Sequence, residues 1–231
     1  MPLAARTRHL FSAMLERYLH TLSLCDVAEE DPAITRERLK DRFPRGATRR
    51  MTQLGLLVGA ALDEMTPRLD DAVVYASAFA ETRALEGYLD SFPSASPTLF
   101  QTSIHPSAVQ QALIGRQHAI GEFFPLTGRS HLVMQAVQTA LLSPAPRVLL
   151  CGGEERGTWL LQQNVASERS FAFAVSLSAQ SAGALARLTL SPTSDANVEE
   201  CSLHDFFRAL QERRPLAIAG PAGLRLNLTW L

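Results

Sequence analysis

Apolar residues recur every three or four positions through Leu10, Phe11, Met14, Leu15, Tyr18, Leu19 and Leu22, which predicts an amphipathic helix over residues 5–23 lying on the domain surface. Residues 26–50 are charged, broken by Pro32 and Pro44, and carry the cluster Arg45, Arg49 and Arg50. That stretch reads as an exposed connector with one short helix at residues 34–41. From residue 50 to 65 nearly every position after the first turn is small or apolar, including Gly55 and Gly59, so a buried helix is predicted there, ended by Pro67. Ala72 to Ser77 is a β-rich run of the kind expected of a strand covered on both faces. Helical spacing returns at residues 82–92 and, in mixed form, at 103–115. Phe123-Phe124-Pro125-Leu126 predicts a short strand. Leu132, Val133, Ala136, Val137, Ala140 and Leu141 mark one face of a following helix, whose N-terminus is placed at residues 127–130. Further strands are predicted at 147–153, 171–178, 185–190 and 224–231, with a helix at 203–213. Strands alternating with helices argue for an α/β layered domain.

Composition narrows the chemistry. Among 231 residues, 22 Lys and Arg stand against 23 Asp and Glu, a net charge of −1 that lacks the basic balance of a nucleic-acid-binding protein. Cys25, Cys151 and Cys201 are odd in number and widely spaced, which leaves neither a disulfide framework nor a metal knuckle and points to a reducing, cytoplasmic setting. The six histidines show no metal-ligand spacing, so no metal is expected. Charged residues interrupt the first 25 positions as no signal peptide would, and no run reaches the ~18 apolar residues of a membrane span. Gly152-Gly153 follows a predicted strand but precedes Glu154 and Glu155, whose charges would repel a phosphate, so no nucleotide cofactor is expected. The signatures of α/β-hydrolases, zinc proteases and P-loop enzymes are lacking.

Three blocks carry a resemblance. SPTLFQTSIHPSAVQQALIG from Ser96, FFPLTGRSHLVMQAVQTALL from Phe123 and RVLLCGGEE from Arg147 follow one another in the order seen in the N-terminal half of a β-ketoacyl synthase. More narrowly, the chain resembles the small ketosynthase-like chain length factors of type II polyketide and aryl polyene pathways. Arg49-Arg50-Met51-Thr52 and residues 73–81 fit the same group, and the resemblance covers about residues 45 to 190. It implies a truncated thiolase-like α/β fold, the ketosynthase N-terminal half, with a mixed sheet flanked by helices. Residues 1–44 would be an N-terminal helix and charged connector, and residues 45–231 the ketosynthase-like domain with C-terminal strands.

In ketosynthases a nucleophilic cysteine stands in a strand–turn–helix slot, where the helix N-terminus favours the thiolate. Here that slot reads Leu126-Thr127-Gly128-Arg129-Ser130. Arg129 or, with a one-residue slip, Gly128 takes the nucleophile position, and neither forms a thioester. The family's catalytic histidines belong to a second half that nothing after Leu190 resembles. No catalytic residue is therefore implied, and the expected role is a non-catalytic subunit, a pseudoenzyme. It would pair with an active β-ketoacyl synthase as a heterodimer and shape its acyl tunnel in fatty-acid-like or polyene biosynthesis. Acyl carrier protein would be met directly or through the synthase, Arg45, Arg49 and Arg50 being either a contact for it or a solvated cluster.

Interface and tunnel residues are expected at His105, Pro106, Glu122, Phe123, Phe124, Leu126 and His131, with Phe123 and Phe124 reading equally as core. An isolated half should also leave apolar helix surface exposed. Two alternatives stand beside this reading. One is a small acyl-thioester hydrolase or decarboxylase using Thr127, Ser130, His131 or His105 in one pocket; the other is a homodimeric acyl-binding scaffold. Against a Ser130–His131 pair, adjacent helical residues point about 100° apart.

Overall fold

The apolar run Asp71–Ser77 forms strand β2 and is buried at every position, because it has a strand on either side and helices on both faces. In the computed structural model, which describes residues 14–195, 197 and 199–231, β2 lies between two parallel neighbours, β3 (Glu122–Thr127) and β4 (Arg147–Glu154). Tyr75 stands opposite Pro125 on one side and Cys151 on the other. β4 pairs antiparallel with β5 (Ser170–Ser178), and β5 with β1 (Leu15–Ala28). The sheet then continues through β6 (Ala186–Pro192), β8 (Leu224–Trp230) and β7 (Leu216–Gly220). Its first five strands thus run in the order 3-2-4-5-1, and among these β5 alone opposes the others.

Two layers cover the sheet. On one face α2 (Gln53–Asp63) and α5 (Ser107–Gly115) bury Val73, Tyr75, Leu149, Cys151 and Ala174. A Cβ on Gly59 would meet the Phe43 ring at 2.8 Å and Ala112 at 2.9 Å, so glycine sets how closely these elements approach. On the other face α6 (Leu132–Leu142) and α8 (Leu203–Gln211) close over Val74, Ala76, Leu150, Phe171 and Phe173. The remaining helices, α1 (Pro32–Leu39), α3 (Thr82–Asp90), α4 (Pro97–Ser103) and α7 (Trp159–Gln162), are short and peripheral.

The N-terminal helix expectation is corrected. Residues 5–13 of it lie outside the described residues, and Leu15–Ala28 is a strand inserted between β5 and β6. This part of residues 1–44 is therefore a component of the sheet and not a helix before it. The register explains the misleading periodicity. Leu19 pairs with Leu177 and Thr21 with Ser176, so His20 is an extra residue that flips the alternation. Leu15, Leu19 and Leu22 consequently share one core at offsets of four and three, the spacing of a helix face.

The expected exposed helix surface is also relocated. On α6, Leu132, Val133, Met134, Val137 and Leu141 are buried, in one cluster with Phe206, Phe207 and Leu210 of α8 and Leu226 and Leu228 of β8. The C-terminal strands and helix thus cover the apolar face of α6. Exposed apolar side chains gather instead on and beside α3 and α4, where Leu85, Leu89, Phe92, Phe100 and Ile104 reach solvent.

Candidate functional site

The C-terminal ends of the parallel strands β2, β3 and β4 lie side by side, the usual place for a site in such a sheet. β3 ends at Thr127, opposite Ser77, and the chain turns through Gly128 at φ 146°. The next helix starts later than expected. Its N-cap is His131, held at φ 56°, and α6 begins at Leu132 and not at residues 127–130. The turn is filled by groups of this chain. Glu200 accepts the His131 main-chain N–H at 2.6 Å, with its second oxygen 3.3 Å from Nδ1 of the same histidine. Arg129 donates to the Asn164 carbonyl at 3.2 Å and lies 5.5 Å from the centre of the Phe79 ring. A carboxylate therefore stands at the helix end that would otherwise favour a thiolate, and a guanidinium is tethered beside it.

Behind this turn sit buried glutamates that sequence reasoning missed. Glu154, the last residue of β4, accepts the Ala78 N–H at 2.5 Å, the Phe79 N–H at 3.2 Å and the Ser77 hydroxyl at 3.1 Å. Glu155 accepts the N–H of Leu54 at 3.1 Å and of Arg83 at 2.8 Å, joining the starts of α2 and α3. Glu81 accepts from Ala108 at the start of α5, and Glu86 from Thr158 and Leu160 at the start of α7. The N-caps of α3, α5 and α7 make no side-chain cap bond of their own. These carboxylates satisfy the free N–H groups there. The only trace in the sequence is an acidic pair after a strand ending in Gly152-Gly153, glycines whose Cβ atoms would press on the backbone oxygens of Ala76 and Phe171.

Burial shapes the titration of this region. It raises Glu154 to about 8, against the opposing effect of its N–H and hydroxyl donors. It likewise raises Glu155 to about 7, and pushes the Cys151 thiol up, so that cysteine stays protonated as a small core residue. The folded chain therefore holds the protons on Glu154 and Glu155 more tightly than the unfolded chain does. Their contribution to stability is complete below the ordinary carboxylate value of 4.5 and is lost as pH rises through 7 to 8. The expected result is a urea midpoint that falls between pH 5 and pH 8.5, measured at constant ionic strength, with most of the fall gone in Glu154→Gln/Glu155→Gln.

The remaining expected residues divide between the faces of the sheet. On the edge strand β3, Phe124 and Leu126 pack on the α6 side and Phe123 on the α2 side, all partly buried. Glu122 accepts the Ser143 hydroxyl at 3.2 Å. His105 stacks on Tyr75 with ring centres 5.0 Å apart, its Nδ1 3.6 Å from Glu81, and Pro106 is the N-cap of α5. Tyr75 belongs to the core on the α2–α5 face, so His105 lies across the sheet from α6 and His131. The single pocket joining His105 with Ser130 and His131 is thus not formed. Among the described residues, no group of three or more His, Cys, Asp or Glu is placed to hold a metal ion, and no helix is long and apolar enough to cross a membrane.

No protein-family model matches the chain, and neither does any curated protein. Solved structures do. A chain from the complex of the ketosynthase ApeO with its chain length factor ApeC, from Xenorhabdus doucetiae, superposes with a TM-score of 0.66 at 18% identity, covering 93% of this chain and 99% of that one. The ishigamide ketosynthase/chain length factor gives a TM-score of 0.57 at 13% identity, with 78% and 68% covered. At such identities the likeness is one of fold. The chain has the thiolase-like fold of the ketosynthases and chain length factors, an α/β fold with a mixed sheet flanked by helices, over nearly its whole length.

Proposed function

We propose that this chain is a chain length factor-like subunit without chemistry of its own, which pairs with an active β-ketoacyl synthase and shapes its acyl tunnel in polyketide or fatty-acid-like assembly of the aryl polyene kind. The observation that carries this reading is the β3–α6 turn. On a ketosynthase-like fold, it carries Gly128 and Arg129 and no cysteine between β3 and α6, with the adjoining helix start occupied by Glu200. The sheet edge supports the pairing. Among the described residues β3 has a strand neighbour on one side only, and its Pro125 lacks an N–H, as an edge position tolerates. Phe123 and Phe124, half-buried on opposite faces of that edge, are the side chains best placed to enter a shared tunnel. Acyl carrier protein is then met at the complex, directly or through the synthase.

Reconstitution tests the reading. The ketosynthase encoded nearest to this chain is assayed for condensation of acyl- and malonyl-carrier protein, alone and with the chain added. Condensation is expected only with both, and Thr127→Ala and Ser130→Ala should leave the rate within about a factor of two. Thioester hydrolysis or decarboxylation by the chain alone, lost in Ser130→Ala, would replace the proposal with an independent enzyme. A stable homodimer with bound lipid would point to an acyl-binding scaffold.

A further inference from the structure

We propose that a cavity on the α2–α3–α4 side of the molecule binds a phosphate group, as inorganic phosphate or as a small phosphate ester. The cavity measures about 330 Å³, is lined by Arg36, Arg49, Arg50 and Arg83 with Thr98, and has no carboxylate in its wall. Elsewhere among the described residues several arginines are matched with carboxylates, while Arg45, Arg68, Arg129 and Arg213 are scattered singly without one. Arg38 pairs with Glu30, Arg42 with Asp63 and Glu64, Arg169 with Asp26 and Arg225 with Asp195. Among the described residues, Arg36, Arg49 and Arg50 have no carboxylate within 4.0 Å. Arg83 reaches Glu86 only at 3.8 Å, and the other oxygen of that carboxyl group accepts from Thr158 and Leu160.

Three guanidiniums with no carboxylate partner, those of Arg36, Arg49 and Arg50, line one cavity with Arg83, and an oxyanion among them supplies the missing counter-charge through paired N–H donors that match phosphate geometry. Arg36 is already oriented, donating to the Met51 carbonyl at 3.1 Å. The start of α2 lies beside the cavity but does not supply the site, since Glu155 accepts the Leu54 N–H and the Thr52 hydroxyl accepts the Gly55 N–H. The guanidiniums carry the binding. Pro32, Met51, Ala84 and Leu99 add an apolar side to the same cavity, room for the organic arm of an ester. This site is independent of the β3–α6 turn and stands or falls apart from the subunit reading.

Calorimetric titration of the full chain with inorganic phosphate and with phenyl phosphate, against sodium chloride at matched ionic strength, tests it. Arg49→Gln/Arg50→Gln alters only exposed side chains and should keep the urea midpoint, while weakening binding by about tenfold or more. Arg45→Gln, outside the cavity, should bind as the unaltered chain does. Tighter binding of the phenyl ester marks an organic phosphate as the ligand, whereas equal or tighter binding of inorganic phosphate marks the free ion. Heats no larger than those of chloride for both probes, binding unchanged in the double variant, or an equal loss in Arg45→Gln would each overturn the proposal.

Discussion

Replacing Glu154 by alanine is expected to lower the unfolding free energy by about 2–4 kcal/mol near pH 7, because it strips the acceptor from two partly buried backbone N–H groups and a buried hydroxyl. The opposing effect is relief from burying a carboxylate. It is the smaller one at this pH, since burial raises Glu154 to about 8 and most folded molecules carry it neutral. Glu154→Gln keeps one acceptor for the Ala78 N–H and should lose less. It should also remove the Glu154 share of the pH dependence, which a purely steric account of the site would leave in place. Urea unfolding at pH 5, 7 and 8.5 separates the two variants; an unchanged midpoint for Glu154→Ala would show that the loop after β2 holds itself together without the carboxyl group.

The second large effect is expected at the sheet edge. Pro125 and Thr127 are exposed on β3, so Pro125→Lys/Thr127→Lys should fold normally as an isolated chain. In the proposed complex the same positions meet the synthase, where two unpaired ammonium groups would be desolvated or forced apart. Binding should weaken by about a hundredfold or more. Leu231→Lys, an exposed position beyond β8 at the other end of the sheet, serves as the control and should bind as the unaltered chain does. A synthase complex of full affinity in the double-lysine variant would move the contact away from β3, and the apolar surface of α3 and α4 would become the next place to look.

The central part of the fold was legible because its signals are local. β2, β4, α2 and α6 are each long enough, and apolar enough, to announce both their type and their burial. β1 was not, since one extra residue at His20 turns an alternating strand into a pattern with helical offsets. The start of α6 was placed early because a left-handed histidine cap has no compositional mark, whereas Ser130 looks like an ordinary cap. That the β3–α6 turn carries no cysteine is legible from Gly128-Arg129-Ser130 alone, but the closure of that turn by Glu200 comes from a segment 69 residues away. In the sequence, Glu154 and Glu155 stand out only as charges that would repel a phosphate. Their donors lie 72 to 101 residues earlier in the chain, and burial of a carboxylate is a property of those donors rather than of its own neighbours. His105 and His131 fell on opposite faces because a strand's neighbours in sequence do not state which side of the sheet the chain returns on.

The most direct test of the subunit reading is the mass of what forms when this chain and the ketosynthase encoded nearest to it are co-expressed, purified together and measured by size-exclusion chromatography with light scattering, each also run alone. A one-to-one complex that dissociates in Pro125→Lys/Thr127→Lys is expected. A chain that elutes as monomer or homodimer, with a synthase fully soluble and active without it, would rule out the subunit role.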